Sequence, residues 1–167
     1  MILHENKARA RMHTGLVLSL LVAIVAIAHA GADERIAPVT DPVVKKECGS
    51  CHMAFSPQFL PRRSWQKLVE TLSDHFGDNA SLGEAQRKTV LAYLLANASD
   101  GPRAGNEGRK FGASIPSAQT PLRITEVPRW VREHQKVRAD RWSDPSVKSK
   151  ANCVACHKAA EQGIYED

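Results

Sequence analysis

Two C-x-x-C-H motifs constrain this chain more than any other feature, because they contain all four of its cysteines. The first places Cys48 and Cys51 ahead of His52, and the second places Cys153 and Cys156 ahead of His157. This spacing is typical of c-type haem attachment, in which the two thiols form thioethers with porphyrin vinyl groups and the His ligates the iron. The sequence therefore predicts two covalently attached haems c.

Three other interpretations of the cysteine pairs explain less of the sequence. A four-thiolate zinc site would have to join pairs that lie about a hundred residues apart, and it gives no role to the His that follows each pair. Two disulfides would suit an exported protein but leave the repeated His without a role. A redox-active C-x-x-C pair would need a thioredoxin-like β-α-β context, and no strand pattern flanks either motif.

The N-terminal segment has the three parts of a secretory signal peptide. Basic residues precede an apolar or small-residue run at residues 16–28, and the A-x-A cleavage pattern follows at residues 28–30. The run is shorter than the ~20 residues that a membrane span needs. We therefore expect cleavage after Ala30, a mature protein without an integral membrane span, and a periplasmic location. Retention of the segment as an anchor is the alternative.

The charge of the chain does not point to nucleic acid. Removal of residues 1–30 leaves 20 basic and 17 acidic residues, so the formal net charge falls from +5 to +3. The propionates of two haems would bring the total close to neutral. We therefore expect no nucleic-acid partner.

Signal cleavage leaves four histidines, which matches the axial positions of two haems. His52 and His157 are the motif ligands, so His75 and His134 remain for the distal positions. Met53 is the one methionine left, and it follows His52 too closely to reach the opposite face of that haem. We expect bis-His ligation at both irons, with His75 opposite His52 and His134 opposite His157. A crossed arrangement is the alternative.

His75 lies on the apolar side of a predicted helix. The pattern predicts this helix over residues 65–76, with Ser64 as its N-cap and Gly77 as its stop signal. Leu72 precedes His75 by three residues and places it on the buried side. A His on such a stripe is ordinarily a core residue, but here an iron needs a ligand, and this favours the axial role.

His134 repeats this placement. A helix is expected to start at residues 125–128, and Trp130 and His134 fall on its apolar stripe. Basic residues surround His134, and most of them are expected to form a solvated face. Arg132 and Arg138 are the candidates to pair with haem propionates.

The remaining pattern is helical, and no stretch alternates as a strand. A capping box at residues 81–84 predicts a helix to about Asn97, and Asp144 before Pro145 predicts a final helix that carries the second motif. The predicted fold is mainly α with little or no β, a small two-lobed dihaem c-type cytochrome with helices packed around the haems. Its predicted parts are a signal peptide at 1–30, a first haem-binding lobe at 31–98, a linker at 99–121 and a second haem-binding lobe at 122–167.

Six stretches of the chain match a known protein family. They are residues 47–55, 60–65, 74–77, 123–126, 132–134 and 148–157. With these stretches the chain resembles the bacterial dihaem cytochrome c proteins, often called DHC, over nearly the whole mature sequence. The resemblance implies an exported electron carrier with two low-potential bis-His haems. It also implies redox protein partners, either a membrane b-type cytochrome or a small soluble haem protein.

Two other function classes compete with an electron carrier. A peroxidase-like haem enzyme would need an open or displaceable distal site with acid–base groups, which the small number of histidines disfavours. A redox or gas sensor would use displacement of a distal His, and no output domain is visible in the sequence. A carrier needs neither an open distal site nor an output domain. Two imidazoles without a thioether ligand would give its haems a low reduction potential. The sequence therefore predicts a carrier that is not an enzyme and has no catalytic residues.

Mass spectrometry of protein isolated from the periplasm tests the predicted stoichiometry. Because both motifs are complete, the mature chain should carry two covalently attached haems. A mass that corresponds to one haem, or to bound zinc, would contradict the prediction.

Overall fold

The computed structural model describes residues 35–166, which form helices joined by turns and loops. The predicted signal peptide at residues 1–30 lies outside the described residues. Six α-helices occur in the described part: α1 Pro42–Cys48, α2 Arg62–Glu70, α3 Glu84–Asn97, α4 Asn106–Ala113, α5 Pro128–His134 and α6 Ala139–Trp142. Short 3-10 helices lie at Pro57–Phe59, Leu72–Asp74, Ile124–Glu126, Cys153–Ala155 and Ala160–Gln162.

The mainly α fold with little β is confirmed. Between residues 35 and 166 the only β-type pairing is an isolated bridge between His75 and Asp78. In the same residues, no helix has both the length and the hydropathy that a membrane crossing requires.

Helix α1 begins with a strong N-terminal signal and ends at the first motif. Asp41 accepts hydrogen bonds from the N–H groups of Val43 and Val44 at 2.9 and 3.0 Å, and Pro42 occupies the first turn. Val44 is fully buried, and Cys48 lies one turn further along the same side. The helix therefore presents the first thiol toward the core.

The prediction that Ser64 caps the second helix is wrong. Helix α2 begins at Arg62, whose N–H donates to the carboxylate of Asp100 at 2.7 Å. Ser64 is instead completely buried within the helix. The actual capping group is 38 positions away in the sequence, so local pattern could not identify it.

The continuous helix predicted over residues 65–76 is also wrong in its last part. Helix α2 ends at Glu70, and a 3-10 turn at Leu72–Asp74 leads to His75. Phe76 and Gly77 then have φ angles of 61° and 106°, which turn the chain away from the helical path. Gly77 therefore stops the segment as expected, but His75 is presented by a turn rather than by a helix.

Helix α3 ends at the predicted residue but lacks the predicted capping box at residues 81–84. Its N-cap is Gly83, and no side chain caps the helix. Glu84 does not reach back to the cap, because it pairs with Arg87 at 2.9 Å on the same helix. Val90 of this helix is buried in the core.

The segment at residues 99–121 contains helix α4 and is not a featureless linker. The Phe111 ring on this helix meets the Phe59 ring edge to face at 5.0 Å. A Cβ atom at Gly108 would lie 2.8 Å from the Gln58 Cβ, so the glycine allows close packing. A glycine of the kind that suggested a linker thus allows this helix to pack closely against its neighbour. The whole described chain falls in one compact unit, and the lobe boundaries stay a prediction.

Glu107 of α4 connects this helix to α5. Its carboxylate is only 10% exposed and contacts Lys110 and Arg129, the latter at 2.7 Å. The Arg129 guanidinium also lies over the Phe111 ring, 5.1 Å from its centroid. Arg129 was expected on a solvated face, but it forms a structural ion pair in the first turn of the helix that carries His134.

Helix α5 is shorter than the predicted apolar stripe. Val127 and Trp130 are buried, whereas Val131 and Val137 are 50% and 36% exposed. His134 is the last residue of the helix and is partly buried. The buried stripe therefore consists of one residue per turn and ends at the histidine.

The predicted final helix does not occur among the described residues. The Asp144 carboxylate accepts hydrogen bonds from the N–H and the hydroxyl of Ser146 at 2.8 and 2.7 Å, which closes a turn instead of a helix cap. Lys148 then adopts a φ of 62°, which interrupts any helix. The second motif consequently begins in the short 3-10 helix Cys153–Ala155.

The two ends of the described chain meet. The Ile36 N–H donates to the Gly163 carbonyl at 3.3 Å, and the Tyr165 ring contacts the Phe59 ring at 5.4 Å. Gly163 has a φ of 79°, and a Cβ atom there would lie 1.9 Å from the Ile36 carbonyl oxygen. This contact therefore requires glycine.

Glu107→Gln should lower the free energy of unfolding by about 2 kcal/mol, because it leaves the partly buried Arg129 with only the longer ion pair to the exposed Glu133. Glu84→Gln is the matched control, since Glu84 also pairs with a cation three residues along its own helix but is exposed. It should have no measurable effect. Urea unfolding followed by circular dichroism measures both. An equal effect of the two substitutions would contradict a structural role for the Glu107 pair.

Candidate histidine pairs

His52 and His75 form the first of two histidine pairs. Their rings are nearly parallel, with centroids 6.2 Å apart and 26° between the planes. Two imidazoles that bind one metal ion from opposite sides, with metal–nitrogen distances of about 2 Å, have centroids roughly 6 Å apart. The separation therefore fits one metal ion between the two rings.

His134 and His157 form the second pair. Their ring centroids are 6.1 Å apart, and the planes are inclined by 88°. The distance between the ring centroids matches that of the first pair, whereas the angle between the ring planes differs. The structure thus places His75 beside His52 and His134 beside His157. These are the neighbours that the uncrossed ligand assignment predicts.

Backbone carbonyls set the tautomer of one imidazole in each pair. The Nδ1 atom of His52 lies 2.7 Å from the Met53 carbonyl oxygen, and that of His134 lies 2.8 Å from the Trp130 carbonyl oxygen. A carbonyl can only accept, so each Nδ1 carries the proton and donates. The lone pair is then on Nε2, the nitrogen left free to bind a metal. Sequence reasoning did not identify this role of the Met53 backbone.

The surroundings of His75 favour its neutral form. Burial lowers the pKa of His75, and the nearby His52 and Arg123 lower it further, while Asp78 acts in the opposite direction. The Arg123 guanidinium lies 3.8 Å above the ring of Phe76, the residue after His75. A neutral imidazole is the form that ligates a metal.

A cavity of about 850 Å³ lies beside the first pair, within the usual size of ligand pockets. Cys48, Cys51, His52 and His75 all line it. Most of its wall is apolar and comes from α2, α3 and the adjoining turns: Leu60, Trp65, Leu68, Val69, Leu72, Leu82, Val90 and Leu94. The cavity thus combines two thiols, two imidazoles and an apolar lining, as a covalently held porphyrin requires.

The second motif reaches the same cavity. Cys153 and Trp130, both from the second part of the chain, are among its lining residues. The two predicted sites therefore share a wall. Sequence reasoning did not indicate this contact, because it treated the two motifs as centres of separate lobes.

No disulfide joins the four cysteines, all of which lie within residues 35–166, and the first of each pair is partly buried. Burial raises the pKa of Cys48, and it raises the pKa of Cys153 to about 11. Conversion of a thiol to a thioether removes the ionisable proton and suits a buried position.

Aromatic rings surround the second pair. The Trp130 indole lies parallel to the His134 imidazole, with centroids 4.1 Å apart and 13° between the planes. Trp142 lies 6.1 Å from His134, and Tyr165 lies 5.7 Å from His157. Burial raises the pKa of Tyr165, which keeps its phenol neutral. Trp142 and Tyr165 had no periodic signal in the sequence, because the helix that ends at Trp142 has only four residues and Tyr165 lies outside any helix.

Most basic residues around His134 have acidic neighbours. Arg138 makes two hydrogen bonds of 3.0 Å to Asp140, and Arg132 lies 3.7 Å from Glu133. The two candidates for propionate pairing thus already contact carboxylates. Ion pairs in this part of the chain join Arg129 to Glu107 and Glu133, Arg132 to Glu133, Arg138 to Asp140, and Arg141 to Asp144.

Comparison with known proteins gives a consistent result. A family model described as dihaem cytochrome c matches residues 44–165. The chain is similar to the solved diheme cytochrome c from Rhodobacter sphaeroides, with 42% identity, a TM-score of 0.68, and coverage of 77% of this chain and 98% of that one. A diheme cytochrome type c from Shewanella baltica is 31% identical, with a TM-score of 0.60 and coverage of 75% and 86%. The search of curated proteins found no match.

Proposed function

Because the chain belongs to the dihaem cytochrome c family, we propose that it is a periplasmic carrier that passes single electrons between redox proteins through two bis-His haems. The family has two c-type haems, and this chain has two complete motifs to hold them. Thioethers to Cys48 and Cys51 hold the first haem, and thioethers to Cys153 and Cys156 hold the second. Each bound haem supplies one iron that alternates between the ferric and ferrous states.

The observation that carries the ligand assignment is the separation of the imidazoles. Centroid distances of 6.2 Å and 6.1 Å fit one iron between His52 and His75 and another between His134 and His157. The motif histidine is the proximal ligand in each pair. His75 and His134 are the distal ligands that complete the coordination.

A low reduction potential follows from these ligands. Imidazole nitrogens stabilise ferric iron better than a methionine thioether does. The Nδ1–H bonds of His52 and His134 make their Nε2 atoms more basic, which acts in the same direction. Met53 offers its carbonyl to His52, and this use of its backbone agrees with a structural and not an axial role.

Full coordination also supports a carrier over an enzyme. When both axial positions are occupied by protein ligands, no position remains for peroxide or another substrate. The residues around His75 and His134 are mainly aromatic and apolar, and they hold the imidazoles in place. We therefore assign no catalytic residue.

The partner we propose is another haem protein, either a membrane b-type cytochrome or a small soluble haem protein, as the family resemblance implies. Near the second motif, the exposed lysines Lys136, Lys148, Lys150 and Lys158 do not belong to the ion pairs above. These lysines are suited to steer a partner with an acidic face.

Spectroscopy of single-haem variants tests the ligand assignment. In a chain with Cys153→Ser and Cys156→Ser, only the first haem remains, and it should be low-spin and insensitive to CO. Adding His75→Ala should make this haem high-spin and CO-binding, because it loses its distal ligand. Adding His134→Ala instead is the matched control and should change nothing.

The reciprocal experiment uses Cys48→Ser and Cys51→Ser, where only His134→Ala should open the remaining haem. If His134→Ala opened the first haem, the ligands would be crossed. CO binding by the unaltered protein would instead favour a haem enzyme or a gas sensor.

A charge-reversal variant tests the docking proposal. Lys148→Glu together with Lys150→Glu should lower the rate of electron transfer to a candidate haem protein by roughly tenfold at low ionic strength, and salt should reduce the difference. Lys45→Glu together with Lys46→Glu on α1 is the control for net charge alone. A rate that is independent of salt in the unaltered protein would rule out electrostatic steering.

A further inference from the structure

Trp130 contacts the surroundings of both histidine pairs. Its side chain is 8% exposed and lines the cavity beside His52 and His75. Its indole also lies parallel to the imidazole of His134, with the centroids 4.1 Å apart. One buried side chain therefore belongs to the wall of the first haem's cavity and to the support of the second haem's distal ligand.

The backbone of Trp130 holds the same imidazole. Trp130 and His134 are one turn apart on α5, and the Trp130 carbonyl accepts the Nδ1–H of His134 at 2.8 Å. The ring plane and the ring rotation of His134 thus depend on two parts of one residue. A displacement of Trp130 would change both contacts together.

The other tryptophans each contact only one of these environments in the described part of the chain. Trp65 lines the first cavity, where its indole N–H donates to the Pro57 carbonyl at 2.8 Å. Trp142 lies 6.1 Å from His134 but is not among the residues that line the cavity. Trp65 is therefore the control for the contact with the first cavity, and Trp142 is the control for the contact with His134.

We propose that Trp130 is a positioning residue that couples the two haem sites, so that a change at the first haem alters the orientation and electronic environment of His134. The proposal rests on the axial role of His134 given above. A group that fills the first cavity contacts the indole, and close packing passes a displacement on to the stacked imidazole. The indole face also stabilises nearby positive charge, which favours ferric iron at the second site.

Substitutions of the three tryptophans test the coupling. In the holoprotein, Trp130→Leu should shift the electron paramagnetic resonance g-values of both ferric haems and raise the midpoint potential of the second. Trp65→Leu should shift mainly the first haem's signal, and Trp142→Leu mainly the second's. Trp130→Phe keeps an aromatic plane and should give smaller shifts at both haems, which preserves the test if Trp130→Leu fails to fold.

Removal of the first haem provides a second, independent test of the coupling. Cys48→Ser with Cys51→Ser leaves the first cavity without its haem, and the g-values of the second haem should shift as a result. In the Trp130→Leu background this shift should be lost, whereas in the Trp142→Leu background it should persist. These readouts are magnetic signatures of ligand orientation and do not depend on electron-transfer activity.

The outcomes separate this proposal from the one it rests on. If His134→Ala leaves the second haem low-spin, the axial assignment fails, and the coupling fails with it. If His134→Ala opens the second haem but Trp130→Leu leaves the first haem's signal unchanged, only the coupling is overturned. The same holds if removal of the first haem shifts the second haem's signal equally with and without Trp130.

Discussion

The structure depends on bringing two imidazole rings to within about 6 Å of each other, twice. In each pair the partners are separated by 23 positions, 52 to 75 and 134 to 157. The first separation is spanned by α2 with one 3-10 helix on either side, and the second by α6, turns and the 3-10 helix Cys153–Ala155. The motif comes before the spare histidine in the first pair and after it in the second. Nearly equal centroid distances are thus reached by different chain paths, so the spacing of the imidazoles and not a repeated fold is common to the two halves.

The two haems and the two histidine pairs were accessible from sequence because covalent haem attachment is a local property. Five consecutive residues define each motif. His75 and His134 were then identified because they are the two other histidines outside the predicted signal peptide. Helix α3 was also accessible, since its apolar residues recur with helical spacing and its end lies close to Asn97. These features require no knowledge of distant contacts.

The errors arose where a distant residue decides the local structure. The cap of α2 comes from Asp100, and α4 forms in a glycine-containing segment because Gly108 allows contact with Gln58. The prediction of the final helix was wrong for a local reason. Asp144 accepts a hydrogen bond from Ser146 within a turn, and Lys148 has a positive φ. Capping residues and turn residues have the same composition, so sequence could not tell the two apart.

The contact between the two ends of the described chain has a consequence for biogenesis. Phe59 lies in the first half, and the ring that covers it, Tyr165, comes from the last residues of the sequence. The packing around Phe59 therefore cannot be completed until Tyr165 has been synthesised. Both motifs lie between Ile36 and Gly163, so they emerge before this closure forms. Both cysteine pairs are therefore already present in the chain when this closure forms, and the closure cannot precede the synthesis of either motif.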